Sequence, residues 1–188
     1  VLLRNRSREA SFSSQPEILV TKPASQTDPG VLDPSVFTPE SRPEQAARLL
    51  AAYRTVRDET ERRAAPLSPE DQLIQSMPDA SPAKWHRAHV TWFWEQFLLG
   101  ENVPGYKPYH PDYAYLFNSY YEALGPRQPR PQRGLLTRPS LDEVMAYRAH
   151  VDVAMGLLLS QDAGGLADLV ELGLAHEEQH QELILMDI

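Results

Sequence analysis

The 188 residues contain no cysteine. That excludes disulfides, thiolate nucleophiles and cysteine-ligated zinc, so any metal must be held by nitrogen and oxygen. It is compatible with a reducing compartment, and we expect a cytoplasmic location. Basic residues are in the minority, 18 Lys and Arg against 26 Asp and Glu, for a formal net charge of −8. A nucleic-acid binder needs a basic footprint, which is missing, and docking on an anionic membrane surface is disfavoured for the same reason. No apolar run approaches the roughly 20 residues that a membrane-spanning helix requires. No sustained alternation of apolar and polar residues marks a strand. An initiator Met is also missing, and the apolar pattern of "LILMDI" is still running at the last residue. The chain therefore reads as a fragment of a longer protein.

What remains is a chain 41% hydrophobic and 23% charged, long enough for one globular domain with a sizeable core. Residues 1–40, rich in Ser, Pro and Asp, carry no period and read as a disordered lead-in. From Ser41 the punctuation is helical. Ser41 with Glu44 forms a capping box before Ala46, Leu49, Leu50, Tyr53 and Val56, which share one helix face. Ser68-Pro69 and Ser81-Pro82 each read as a Ser N-cap with Pro in the first turn. The second of these opens "AKWHRAHVTWFWEQFLLG", which ends at Gly100. Ser140 with Glu143 opens another helix, and a last one follows the Gly164-Gly165 break. The expectation over residues 41–188 is an all-α four-helix bundle with a long irregular connection from Glu101 to Pro139. A connection of that length inside a compact domain is usually functional.

Histidine carries the candidate chemistry. Along the last helix Leu169, Leu172, His176, His180 and Leu183 share a face, so two histidines interrupt a stripe expected to face the core. At i and i+4 their Cβ atoms stand about 5–6 Å apart, close enough for both imidazoles to reach one ion. A third ligand must come from elsewhere. On the Trp-rich helix His89 shares a face with Trp85, Trp92, Gln96 and Leu99, while His86 lies with Val90, Phe93 and Phe97. That helix is apolar nearly all round, and periodicity does not choose between the two. His110, in the connection, and His150, among charged neighbours, read as solvated or structural. The bland alternative for all of them is a satisfied core histidine.

"HEEQH" also fits the zinc-protease pattern H-E-x-x-H, with Glu177 as general base. The extended form asks for Gly three residues and His six residues after His180. Leu183 and Met186 stand there instead, so that branch fails. The other reading is an ion held by three imidazoles from two helices. Imidazole suits Fe, Zn, Cu and Ni alike, so the ligands do not name the metal. Three neutral ligands leave the ion its full charge and several open positions, which suits an anionic thiolate together with O₂.

The blocks "SPAKWHRAHVTWFWEQFLL", "LFNSYYEALGPR", "RGLLTRPSLDEVMAYRAHVD" and "LGLAHEEQHQELILMDI" resemble, in this order, the DinB-like N-terminal domain of ergothioneine-biosynthesis sulfoxide synthases, the hercynine oxygenases. The resemblance spans about Ser41 to Ile188. It implies non-haem Fe(II) held by His89, His176 and His180. It implies a reaction that joins the sulfur of cysteine or γ-glutamylcysteine to the imidazole of hercynine and oxidises it to the sulfoxide with O₂. Tyr120 and Tyr121 match tyrosines near the iron in cysteine-using members, against the alternative of aromatic packing. Arg127, Arg130 and Arg133 are candidates for clamping the substrate carboxylates, against a solvated basic loop. Glu177, Glu178, Gln181 and Glu182 are expected to orient the imidazoles or to face solvent. The family carries a second domain, similar to formylglycine-generating enzymes, which supplies much of the hercynine pocket and is absent from these residues. Two alternatives share the metal site: a selenoneine synthase of the same architecture, and a DinB-type metal-dependent thiol transferase that needs no O₂.

Overall fold

The computed structural model describes residues 40–119, 125–161 and 165–188. The lead-in expected over residues 1–40 therefore lies outside the described residues, apart from Glu40. Four long helices build the fold: α1 (Arg42–Ala64), α2 (Ala83–Phe93), α4 (Leu141–Gln161) and α5 (Ala167–Asp187), with the single turn α3 (Tyr113–Leu116) in the connection. Helix α1 packs on α4 and α5, and α2 packs on the same two, which closes a four-helix square. No strand occurs among the described residues, and no described helix is long and apolar enough to cross a membrane. The expected all-α bundle is what forms.

The helix starts follow their sequence signals with two exceptions. Glu44 accepts the Ser41 backbone N–H at 3.0 Å, and Glu143 accepts that of Ser140 at 2.6 Å. Each satisfies a donor that the first helical turn leaves orphaned. Ser68 and Asp71 make the same reciprocal pair, but only a 3₁₀ turn, Asp71–Leu73, follows. At α2 the N-cap is Pro82, not Ser81. Ser81 is taken by tertiary contacts: its N–H donates to Asp187 at 3.0 Å, and its hydroxyl accepts from Arg133 at 2.9 Å.

Every residue of α2 is buried, as its all-round apolar character requires. Its two long cations reach buried acceptors. Lys84 donates to the carbonyls of Leu136 and Pro139 at 2.9 and 2.7 Å, and burial lowers its pKa to about 8. Past Phe93 the helix loosens into a π-helical stretch, Trp94–Gly100. The wider turn breaks the 3.6-residue period, and Trp94 and Glu95 both end inside. Glu95 accepts hydrogen bonds from Tyr147 (2.7 Å), Tyr106 (3.0 Å) and the Tyr109 backbone (2.8 Å), which ties the connection onto α4.

The apolar stripe read along the last helix is displaced by about one position. Leu172 is 57% exposed, whereas the face turned inward carries Val170, Gly173, Glu177, Gln181 and Ile184. Gly173 is there because the Trp94 ring is. A Cβ at this position would stand 2.4 Å from the Trp94 ring.

Gly173→Ala is expected to destabilise the domain by roughly 1–3 kcal/mol through overpacking, visible as a lowered urea midpoint. Gly156→Ala, in α4 with nothing within 4 Å of the new Cβ, should do the opposite by about 0.5–1 kcal/mol, since only the helix-propensity gain remains. Equal effects of one sign in the two variants would refute the packing argument.

Candidate metal centre

His89 descends from α2, and His176 and His180 from consecutive turns of α5. One ring nitrogen from each lies within 4.8 Å of the other two. The ring centroids stand 5.0, 4.5 and 4.6 Å apart for the pairs 89–176, 89–180 and 176–180. The expected trio is thus assembled. His110 and His150 are exposed and take no part.

The geometry suits coordination. Nε2 of His89 and Nε2 of His176 are 3.2 Å apart. Two nitrogens bound about 2.1 Å from one ion at angles between octahedral and tetrahedral stand roughly 3.0–3.4 Å apart. Nδ1 of His89 lies 2.6 Å from the Phe117 carbonyl, which can only accept. Nδ1 therefore carries the proton, and Nε2 presents its lone pair towards His176. Protonated imidazoles could not ligate, and the site keeps them neutral. Burial, reinforced by the neighbouring His176, holds His89 well below its ordinary value. Burial lowers His176 to about 4 and drives His180 far down, with His89 next to it adding to the effect. Trp85 stacks on His89 at 4.7 Å between ring centroids and 10° between planes, and Phe93 covers His176 at 4.5 Å. The donor set fits a first-row divalent ion: three neutral imidazoles, restrained orientation at His89, and positions left for substrate.

These histidines line a cavity of about 640 Å³ that also meets Trp85, His86, Ser119, Arg130 and Arg133. An adjoining cavity of about 450 Å³ is lined by Arg127, Arg130 and Arg133. The three arginines of the connection are therefore gathered beside the histidines, but they are not equivalent. Arg133 is buried in the wall, its guanidinium 3.4 Å from the Trp85 ring centroid. Arg127 donates to the Ser119 carbonyl at 2.6 Å, and Arg130 to that of Asp79 at 3.2 Å; both remain partly exposed. Tyr120 and Tyr121 lie outside the described residues. His86, placed on another face by periodicity, in fact lines the cavity. Its Nδ1 lies 2.8 Å from Nδ1 of His180, and its Nε2 lies 3.1 Å from the Asp187 carboxylate. Burial lowers its pKa and keeps it neutral.

Glu177 behaves unlike either expectation for it. It neither faces solvent nor touches the imidazoles. One step round the helix from His176, its carboxylate enters the bundle interior fully buried. It accepts from Trp94 Nε1 (2.7 Å), Thr60 Oγ1 (2.8 Å), Arg57 Nη1 (3.2 Å) and Arg148 Nη2 (3.5 Å). A base so placed has no access to the cavity, which removes the zinc-protease reading. Gln181 is buried on the same side, donating to the Val56 carbonyl at 2.9 Å, while Glu178 and Glu182 do face solvent. Around Glu177 three guanidinium groups (Arg57, Arg87, Arg148) are matched by three carboxylates (Glu61, Asp152, Glu177). Burial opposes the Glu177 charge, but Arg57 and Arg148 outweigh it and hold the pKa at about 2.

A pKa of about 2 in the fold, against 4.5 for the free group, gives Glu177 a stabilising contribution that is fully present above about pH 4.5. It is lost as the pH falls towards 2. Glu177→Gln leaves two buried cations undercompensated and should cost about 3–5 kcal/mol near neutrality. It should also flatten the pH dependence of stability below pH 4.5. Urea titrations at neutral and acid pH measure both, and an undiminished acid slope in the variant would refute the assignment.

No curated protein gives a significant match to the chain. The sequence of residues 52–184 matches the DinB superfamily, a span that holds α2, α4, the three clustered histidines and the arginine-bearing connection. With the helical bundle and the histidines set across two of its helices, that match makes the chain a member of the DinB superfamily.

Proposed function

We propose that this chain is the iron-binding domain of a non-haem Fe(II) sulfoxide synthase of the ergothioneine-biosynthesis type. The observation that carries the proposal is the convergence of His89, His176 and His180 on one point of an arginine-flanked cavity. His89, His176 and His180 would hold the metal. Bound Fe(II) would supply the redox chemistry with O₂. In the balanced reaction a thiol and hercynine lose one hydrogen each as the C–S bond forms. O₂ gives one oxygen atom to the sulfoxide and the other to water.

The chain's own residues bind and orient. A cysteine or γ-glutamylcysteine substrate brings carboxylates, and guanidinium pairs with carboxylate through two parallel hydrogen bonds. Arg127 and Arg130, partly exposed beside the cavity, are the residues for that contact. Arg133 supports from within the wall, through Trp85, Ser81 and Ser119. Trp85 and Phe93 flank the imidazoles with apolar surface, which limits water at the ligands. Tyr120 and Tyr121 directly follow Ser119, a lining residue of the cavity, and are proposed to steer the fate of the sulfur. The hercynine pocket would be completed by the second domain that the resemblance implies.

The purified protein should bind about one Fe(II) per chain, and His176→Ala or His180→Ala should abolish binding. Metal analysis after anaerobic loading measures this, and undiminished occupancy in both variants would sink the site. The reaction is tested on the full-length gene product with hercynine, O₂ and cysteine or γ-glutamylcysteine, and the products are read by mass spectrometry. O₂-dependent sulfoxide supports the proposal, whereas thiol transfer without O₂ consumption identifies a thiol transferase. In Tyr120→Phe and Tyr121→Phe the ratio of sulfoxide to oxidised thiol should change. A ratio unmoved in both would leave these rings only a packing role.

A further inference from the structure

His86 belongs to no ligand set, yet it is buried, lines the cavity and touches a histidine of the trio. Its two nitrogens have different neighbours. Asp187 Oδ2 lies 3.1 Å from Nε2 and also accepts the Ser81 N–H at 3.0 Å, which pins the carboxylate at the entry to α2. A carboxylate only accepts, so Nε2 of His86 is the protonated nitrogen, and Nδ1 of the neutral ring is a lone pair. That lone pair faces Nδ1 of His180 at 2.8 Å. Two lone pairs would repel at this distance, so the proton between the rings sits on His180. The separation is that of a hydrogen bond and is shorter than the roughly 3.0 Å minimum for two nitrogens sharing one ion at about 2.1 Å. His86 is thus not placed as a fourth ligand beside His180.

We propose that His86, anchored by Asp187, is a positioning residue that holds His180 as the Nδ1–H tautomer and so reserves its Nε2 for the metal. The inference rests on the reading of the trio as a metal centre and deepens it. A neutral histidine side chain left to itself favours the Nε2–H form, which would have its donor atom blocked. At His89 the same task falls to the Phe117 carbonyl. The two ligands from opposite helices are thereby oriented by different acceptors, one from the connection and one from α2 itself. Outer hydrogen bonds of this kind fix the tautomer and ring direction of metal-binding histidines.

The test uses the 188-residue chain, metal-free and labelled with nitrogen-15 at histidine, followed by titration with Co(II). Long-range proton–nitrogen correlation at neutral pH should show His180 protonated at Nδ1 and bare at Nε2. His86→Phe keeps the ring volume but removes the acceptor. It should release His180 towards the Nε2–H form and weaken Co(II) binding on the order of 10–100-fold. His86→Asn, which offers an amide oxygen near the Nδ1 position, should restore the tautomer and most of the affinity. A His180 already protonated at Nε2 in the parent protein, or Co(II) bound as tightly by His86→Phe as by the parent, overturns the inference. If both variants lose affinity in step with their melting temperatures while the tautomer stays put, His86 only packs, and the inference is likewise overturned. A parent chain that binds no Co(II) defeats the metal reading and the donor role with it. The spectrum of the metal-free protein distinguishes that failure from a failure of the hydrogen bond.

Discussion

The carboxylate of Glu177, sealed between Arg57 and Arg148, sets the rotation of α5 about its own axis, and the histidine cluster depends on that angle. A helix packed by apolar side chains alone tolerates small rotations, because one methyl group replaces another at little cost. A buried ion pair does not, because a charge withdrawn from its partners in a low-dielectric interior costs several kcal/mol. With Glu177 committed to α1, α4 and Trp94, the neighbouring His176 must point about 100° away, towards α2, and His180 follows one turn later. The close fit of Gly173 against the Trp94 ring makes the same demand one turn earlier on the same face. Ion pairing and steric fit thus select one rotational setting, and in it the two imidazoles of α5 meet His89.

The second requirement is direction within each ring, and it is met locally. The connection after α3 passes close enough to α2 for the Phe117 carbonyl to accept the His89 Nδ1–H, while His86, held by Asp187, meets His180. Glu95 holds the connection in place through Tyr106, Tyr109 and Tyr147, so a carboxylate in the π-helical turn bears indirectly on a histidine two turns earlier. Short contacts and the burial of His86, His89 and His180 leave little freedom here, which is what a site needs if it is to bind an ion without first reorganising.

Much of this was legible in the sequence, and the gaps have physical causes. The capping residues Ser41, Glu44, Ser140 and Glu143 announced two helices because their interactions are local. The spacing of His176 and His180 announced a shared face for the same reason, and the histidine trio assembled as expected. The family resemblance chose His89 over His86, a choice that periodicity left open. Three things did not show. Polarity usually means exposure, so Glu177 and Gln181 read as solvent-facing or outer residues, and nothing local reveals that Arg57 and Arg148 wait across the bundle. That error displaced the stripe on α5 and put Leu172 inside. Ser81 reads as a cap because that signal is local, whereas Arg133 and Asp187 claim it from over 50 residues away. His86 was set apart by its angular position, yet a bundle cavity open between α2 and α5 is wide enough to admit residues from two adjacent faces of a helix.

On the proposed reading, charge would give the cavity its selectivity. The protein is acidic as a whole, so an anion approaching at random meets an unfavourable field. Across the two adjoining cavities the balance turns slightly positive: Arg127, Arg130 and Arg133 stand against Asp79 and Asp187, beside three imidazoles that burial keeps uncharged. Neutral ligands cancel none of a divalent ion's charge, so a loaded site would add two positive charges at the end of the arginine-lined wall. An anionic group on the metal and a carboxylate on Arg127 or Arg130 would then be drawn by separate centres of attraction. A ligand that carries both at the right separation gains from each, and one that carries a single anion gains from only one. This is a stronger sorting rule than affinity for the metal alone. On the proposed reading that ligand would be the amino-acid thiol, with its sulfur on the metal and its carboxylate on an arginine.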